Sequence, residues 1–227
     1  MTVSPSFLIR AAGAAAIAAG AIFIGVQINH PHVDITSITT TDVVIRNSSK
    51  VLMAVLALAG ITGMYLSQVR RNGVPGLIGY LVLATGYLLI SSTTIIAAFV
   101  LPNIAGTDPG FVKDVITVSA GGTATGDIGA LGIVWRIQEL CYLAGGLLFG
   151  VALYRANVLA RWATALLAVG GIVTVVLSVM PDAFYRLLAF PNGIAMIGLG
   201  YSLWRQQRQA GDQTVVTAEA RPQHAAV

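Results

Sequence analysis

Six apolar stretches, each about as long as a membrane-spanning helix, follow one another along the chain. A helix needs about 20 predominantly apolar residues to cross the hydrocarbon core of a bilayer. The stretches lie at residues 7–28, 50–69, 75–101, 129–154, 160–180 and 183–204. Pro31, Pro102 and Pro181 follow the first, third and fifth stretches, and Pro191 lies within the sixth, where we expect a kink. The pattern predicts an all-α, polytopic membrane helix bundle with six transmembrane helices.

Composition agrees with this fold class and excludes several functions. Hydrophobic residues make up 56% of the chain and charged residues 10%, whereas a soluble domain carries about 25% charged residues. The single cysteine, Cys141, excludes an intrachain disulfide and any Cys-based zinc or iron–sulfur centre. The net charge of +4 comes from scattered residues at the ends of apolar stretches. We therefore expect membrane lipids around the protein and no nucleic-acid partner.

The first apolar stretch has two interpretations, a retained helix or a signal peptide. Arg10 precedes its apolar run, as in a signal peptide, but the run is longer than an ordinary signal core. The residues after it, Gln27 to His30, offer no small-x-small cleavage site. We expect the helix to be retained.

The distribution of basic residues predicts that both termini are cytoplasmic. With the N-terminus inside, eight basic residues fall on the inner side: Arg10, Arg70, Arg71, Arg155, Arg161, Arg205, Arg208 and Arg221. Five fall outside: Arg46, Lys50, Lys113, Arg136 and Arg186. The positive-inside rule favours this orientation. We divide the chain into a six-helix domain at residues 1–204 and a disordered cytoplasmic tail at residues 205–227, which has no apolar periodicity.

The inner loops are short enough to predict antiparallel hairpins of the second with the third span and the fourth with the fifth. Small residues allow such helices to approach closely, and Gly146-x-x-x-Gly150 in the fourth span fits that pattern.

Between the third and fourth spans, the outer connection predicts a short interfacial helix. Asp108 is suited to cap it and Pro109 to occupy its first position. Four apolar residues then fall on one face: Phe111, Val112, Val115 and Ile116. Lys113 and Asp114 fall elsewhere. Such a helix lies on the membrane surface or covers the end of the bundle.

The candidate ligand-binding residues are Arg136, Gln138 and Glu139 in the fourth span. Glu139 is the one acidic residue inside an apolar stretch, and a carboxylate in the membrane is costly and therefore a functional hypothesis. Arg136 is three residues away on the same helix face, so we expect an ion pair. The pair has two interpretations, a polar ligand site or a structural anchor between helices.

A second candidate site is a metal site in the first outer connection. In an extended chain His30, His32 and Asp34 point the same way. Imidazole and carboxylate groups are plausible transition-metal ligands. The alternative is an exposed polar loop in which two histidines alternate by chance, since no fourth ligand is close in the sequence.

Part of the chain resembles a bacterial family of multi-span membrane proteins known only as a domain of unknown function. The similar residues are the stretch 147–155, LLFGVALYR, the pair Arg161-Trp162, the stretch 166–171, LLAVGG, and the element Trp135-Arg136-x-x-Glu139. The resemblance implies six spans and a bacterial origin, and it implies no particular activity.

These observations favour a non-catalytic protein of the bacterial inner membrane. We expect a small binding or accessory protein whose working surface is on the outer side, and whose partner is a small ligand or another membrane protein. The alternative is a small transporter with a polar site around Arg136, Gln138 and Glu139. An enzyme is disfavoured because the spans hold no nucleophile–base pair, carboxylate pair or metal-binding helix motif. We expect no cofactor.

Overall fold

The computed structural model describes residues 4–178, 187 and 189–219, and all regular structure in them is helical. The helices are α1 (Pro5–Gly25), α2 (Thr41–Leu66), α3 (Val69–Ile95), α4 (Leu101–Ile104), α5 (Pro109–Ser119), α6 (Leu131–Ala156), α7 (Arg161–Ser178) and α8 (Ala189–Glu219). A 3₁₀ turn at Ser37–Thr39 precedes α2, and a π-helical turn at Ile96–Val100 joins α3 to α4. The predicted all-α class is confirmed.

Four helices are long and apolar enough to cross a membrane, judged by length and composition. They are Pro5–Gly25, Thr41–Leu66, Val69–Ile104 and Leu131–Ala156, and they correspond to the first four predicted spans. At the fifth predicted span, α7 contributes a shorter apolar helix, Arg161–Val173. The sixth predicted span is residues 183–204, and its first residues, 183–186, lie outside the described residues. The kink predicted at Pro191 would bend the chain against the part before Ala189, most of which also lies outside them.

The long helices pack as a closed ring in which each contacts its neighbours. Around the ring, α1 packs on α2, α2 on α3, α3 on α6, α6 on α7, α7 on α8, and α8 returns to α1. The pairings of α2 with α3 and of α6 with α7 agree with the predicted hairpins. We call the end of the ring with the short loops, at residues 67–68 and 157–160, the hairpin end. The opposite end, which carries α5, is the α5 end.

Glycines permit the closest approaches within the ring. A Cβ added at Gly79 of α3 would lie 2.5 Å from the backbone nitrogen of Phe149 in α6, and one added at Gly150 would lie 2.5 Å from that of Ala168 in α7. Any side chain at these positions would collide with backbone. Gly146 also faces α7, where its Cβ would meet the Leu167 carbonyl at 3.6 Å. The predicted Gly146-x-x-x-Gly150 element therefore lies at a helix contact.

The connection between α4 and α6 contains the expected short helix, which covers the α5 end of the ring. Asp108 caps α5 by accepting a hydrogen bond from the Phe111 backbone N–H at 3.0 Å, with Pro109 as the first residue of the helix. Val112 and Val115 are fully buried in an apolar cluster with residues of the first connection and of α4. Of the two locations that the sequence allowed, α5 lies over the bundle.

Asp114 differs from the prediction that it lies away from the buried face. Its side chain is 7% exposed. Its carboxylate accepts hydrogen bonds from the backbone N–H groups of Thr125 and Gly126, at 2.9 Å and 2.7 Å, and from the Thr125 hydroxyl at 3.0 Å. The Thr125 and Gly126 N–H groups, in that order, lower the pKa of Asp114. Asp114 therefore fastens the glycine-containing loop to α5.

The C-terminal segment also differs from the prediction. The sequence predicted a disordered tail from Arg205, whereas α8 continues to Glu219. A formed helix extends readily through good helix formers such as Gln206, Gln207 and Arg208, because elongation lacks the cost of nucleation. Residues 220–227 lie outside the described residues.

Candidate ligand-binding cavity

A cavity of about 430 Å³ lies beneath α5 at the α5 end of the ring. Its walls come from α2, α3, the π-helical turn, α5, α6 and the connection between α1 and α2. The polar lining residues are Gln27, His30, His32, Asn47, Lys50, Thr93, Thr94, Ser119 and Gln138. The apolar ones include Val33, Ile38, Ala97, Leu101, Val115, Ile116 and Trp135. The lining residues His32, Ser119 and Ala120 are exposed and mark its rim.

Lys50 is positioned in the wall of this cavity by two polar neighbours. Its Nζ lies 3.2 Å from His30 Nε2 and donates to Asn47 Oδ1 at 3.4 Å. The Nδ1 atom of His30 lies 2.8 Å from the carbonyl oxygen of Pro31 and must donate to it. With the proton on Nδ1, the Nε2 lone pair of a neutral imidazole accepts from the ammonium group.

The π-helical turn shapes the opposite wall. Pro102 has no backbone N–H, so the carbonyl four residues earlier lacks its usual helical donor, and the helix widens at this point. The Nδ2 atom of Asn47 donates to the neighbouring carbonyl of Ala97 at 3.5 Å. Through the π-helical turn and α4, the helical run that starts with α3 continues to Ile104, past Leu101, where the sequence predicted its end. The Asn47 contact ties α2 to the turn.

Gln138 and Thr93, which line the same cavity as Lys50, connect α6 to α3. The Thr93 hydroxyl donates to Gln138 Oε1 at 2.6 Å. The same Thr93 oxygen lies 3.0 Å from the Leu89 carbonyl oxygen, and Gln138 also carries an amide –NH2 group with two donor hydrogens. The amide orientation is assigned from this network.

Below the cavity the interior of the ring is closed. Met53, one turn deeper than Lys50 on α2, is 4% exposed, and Tyr87 on α3 is 2% exposed. The Tyr87 and Tyr142 rings meet edge to face with their centroids 5.6 Å apart. These side chains belong to the main apolar cluster of the bundle or pack against it. The cavity is therefore blind at its inner end.

Of the three predicted ligand-binding residues, the structure places only Gln138 in the cavity wall. Arg136 is exposed and Glu139 is partly buried. The expected ion pair between them is wrong: within the described residues the only ion pair joins Asp42 to Arg46, at 2.8 Å. An arginine near a helix end can extend its head group towards water, which separates it from a carboxylate one turn deeper.

The predicted metal ligands are not brought together either. The carboxylate of Asp34 accepts from the backbone N–H groups of Thr36 and Ser37, at 2.9 Å and 2.7 Å, and so closes its own turn. The Ser37 N–H is the larger cause of the lowered pKa of Asp34. His30 and His32 line the cavity. Among the described residues there is no group of three His, Cys, Asp or Glu side chains that could hold a metal ion.

Sequence reasoning missed Lys50 because it placed this residue at the edge of the second span. In the structure α2 begins nine residues earlier, at Thr41, after Thr40 as the N-cap. Asp42 lies in the first turn of α2. The spacing of Asp42, Arg46 and Lys50 by four residues was the available signal, because it puts three charges along one helix face.

Comparisons with known proteins supply no relative. A scan against protein-family models, a search of the curated proteins and a search of the solved structures each found no match. The resemblance noted from the stretch 147–171 stays a prediction.

Proposed function

We propose that this chain is a six-span protein of the bacterial inner membrane that binds a small ligand, without catalysis, in a cavity open to the outer side. The blind cavity carries the proposal. It has a polar wall, an exposed rim and a closed inner end, which is the arrangement of a binding site rather than of a through-going path.

Six spans with both termini inside fit the packing of the ring. α7 and α8 fill the gap between α6 and α1, so they occupy places equivalent to those of the four helices that meet the length criterion. The hairpin end carries Arg70, Arg71, Arg155 and Arg161 in the helix ends next to its short connections. The positive-inside rule assigns that end to the cytoplasm and the α5 end to the outside.

A cytoplasm-dependent reporter enzyme tests this orientation. Fusions that end at Asn72, Asn157 or Gln209 should be active, and those that end at Ser37 or Ala120 should be inactive, because short arginine-containing loops remain inside. Each fusion is normalised to its expression level by immunoblot. If the fusions at Ser37 and Ala120 are active and the fusion at Asn72 is inactive, the orientation is the reverse of the proposed one, and the cavity does not open to the outer side.

Cysteine accessibility tests the cavity itself, in a Cys141→Ala background that leaves no native thiol. A membrane-impermeant thiol reagent added outside should label Thr94→Cys in the cavity wall and Lys113→Cys on the exposed face of α5. It should not label Ala57→Cys, which is 1% exposed two turns deeper than Lys50. Labelling is read as a mass shift on a gel, and full labelling after denaturation is the control for each variant.

A small transporter is the second candidate function, and one observation favours it. Polar and aromatic side chains continue along α2 and α3 towards the hairpin end: Thr62 and Tyr80 hydroxyls lie 3.0 Å apart, and the amides of Gln68 and Asn72 are buried without a hydrogen-bond partner among the described residues. In a transporter this interface would open to admit solute. Labelling of Ala57→Cys from outside would therefore favour the function of a transporter over that of a binding protein.

A further inference from the structure

We propose that the ligand of the cavity is a small organic monoanion, a carboxylate on an apolar body, whose charged group binds Lys50. This inference rests on the proposed binding function and adds the chemical class of the ligand. The charge of the wall, its hydrogen-bond donors and its apolar side each support it independently.

The charge of the cavity wall is positive. Lys50 is the one lysine, arginine, aspartate or glutamate among the described lining residues. The charged and titratable groups around it are Arg46 on its own helix and His30 and His32 on the preceding connection. Arg46 is occupied, since it binds Asp42 and donates to the carbonyls of two residues after α1. An ammonium group beside an apolar wall gains most from a counter-charge supplied by a ligand.

The aspartates that the structure describes at this end are all engaged elsewhere. Asp42 pairs with Arg46, Asp34 closes its own turn, Asp108 caps α5, Asp114 holds the loop after α5, and Asp127 accepts from the Gly129 N–H. None of these five lines the cavity. Neutralisation of Lys50 by an aspartate of the same end would therefore require one of these contacts to break.

Two side chains of this wall, Lys50 and Gln138, have N–H donors to offer a ligand. An ammonium group carries three hydrogens, and Lys50 directs two of them to His30 and Asn47. The third is left for a ligand. Gln138, which lines the same cavity, adds the two N–H donors of its amide. Two donors beside one positive charge match the two oxygens of a carboxylate.

The other side of the cavity is apolar and fits the body of such a ligand. Val115 and Ile116 of α5 face this space together with Leu101 and the ring of Trp135. A single cation compensates a single negative charge, so a dianion would leave one charge unpaired in a partly desolvated site. The volume of about 430 Å³ accommodates one aromatic or short aliphatic acid.

Calorimetric titration of the purified full-length protein tests the charge with probes of nearly constant shape. The probes are benzoate, benzamide, benzylammonium and phenylphosphonate at pH 7. Benzoate should bind saturably, and each of the other three should bind at least about tenfold more weakly, as expected for loss of one charge-assisted hydrogen bond. The same titration follows in Lys50→Met, Lys50→Arg and Lys113→Met.

Lys113 is the only other lysine of the chain and is exposed on α5, so Lys113→Met is the matched control. Lys50→Met should weaken benzoate at least about tenfold, Lys50→Arg should retain part of the affinity, and Lys113→Met should match the original protein. If Lys50→Met fails to fold, the probe series in the original protein still decides. Equal affinity for benzoate and benzamide would overturn the inference that the ligand is an anion, and the proposed binding function would stand. Tighter binding of phenylphosphonate than of benzoate would show that the ligand is a dianion and not a monoanion. If none of the four probes binds while Thr94→Cys is still labelled, the inferred ligand class is wrong and the binding function stands.

Discussion

Gly79→Ala should destabilise the protein by about 2 kcal/mol, although alanine is the better helix former. The added methyl group would lie 2.5 Å from the Phe149 backbone nitrogen and 2.8 Å from its Cα. The collision is with backbone, so α3 and α6 must move apart along their contact. The gain in helix propensity is about 1 kcal/mol, smaller than the cost of overpacking, which is about 1–3 kcal/mol. The change is measured as the midpoint of thermal unfolding in one detergent.

Gly25→Ala is the matched control, because a Cβ added there meets nothing within 4 Å. Gly25 is the exposed last residue of α1, and its replacement should leave the midpoint unchanged or raise it slightly. If Gly79→Ala is as stable as the original protein, the close contact of α3 with α6 is not the arrangement in solution.

The helices were predictable from sequence because the membrane imposes a length on each apolar stretch. Predicted and observed helices coincide over the first four spans, and the cap at Asp108 with Pro109 after it was sufficient to locate α5. The helix ends were less predictable. α2 begins at Thr41, nine residues before the predicted span, and the helical run of α3, the π-helical turn and α4 continues to Ile104, past the predicted end at Leu101.

The site was largely beyond sequence reasoning because it depends on which faces meet in the ring. Glu139 stood out in the sequence because a carboxylate within an apolar stretch costs free energy in the membrane. The cavity, however, lies on the side of α6 that carries Trp135 and Gln138. Lys50 gained its importance from a tertiary contact with His30, twenty residues away. Spacing within one helix can show that charges share a face, but it cannot show what that face contacts.

Arg46→Lys should cost about 2 kcal/mol of stability and loosen the connection that forms one wall of the cavity. Arg46 Nη1 donates to the carbonyls of Val26 and Ile28, at 3.0 Å and 2.9 Å, while Nε binds Asp42 at 2.8 Å. A lysine keeps the charge but cannot direct a planar set of donors to three acceptors at once. Hydrogen exchange at residues 27–34 should become faster, as measured by mass spectrometry of the purified variant.

Asp42→Asn separates the two roles of Arg46. Asp42 is 57% exposed, and a pair of that kind contributes about 0–1 kcal/mol, so this variant should exchange at residues 27–34 as the original protein does. Benzoate affinity should fall in Arg46→Lys, because His30 no longer orients Lys50, and it should persist in Asp42→Asn. If both variants lose stability and affinity equally, the ion pair with Asp42 fixes this wall. If Arg46→Lys changes neither, Lys50 is positioned by its own helix, and the connection after α1 has no part in the site.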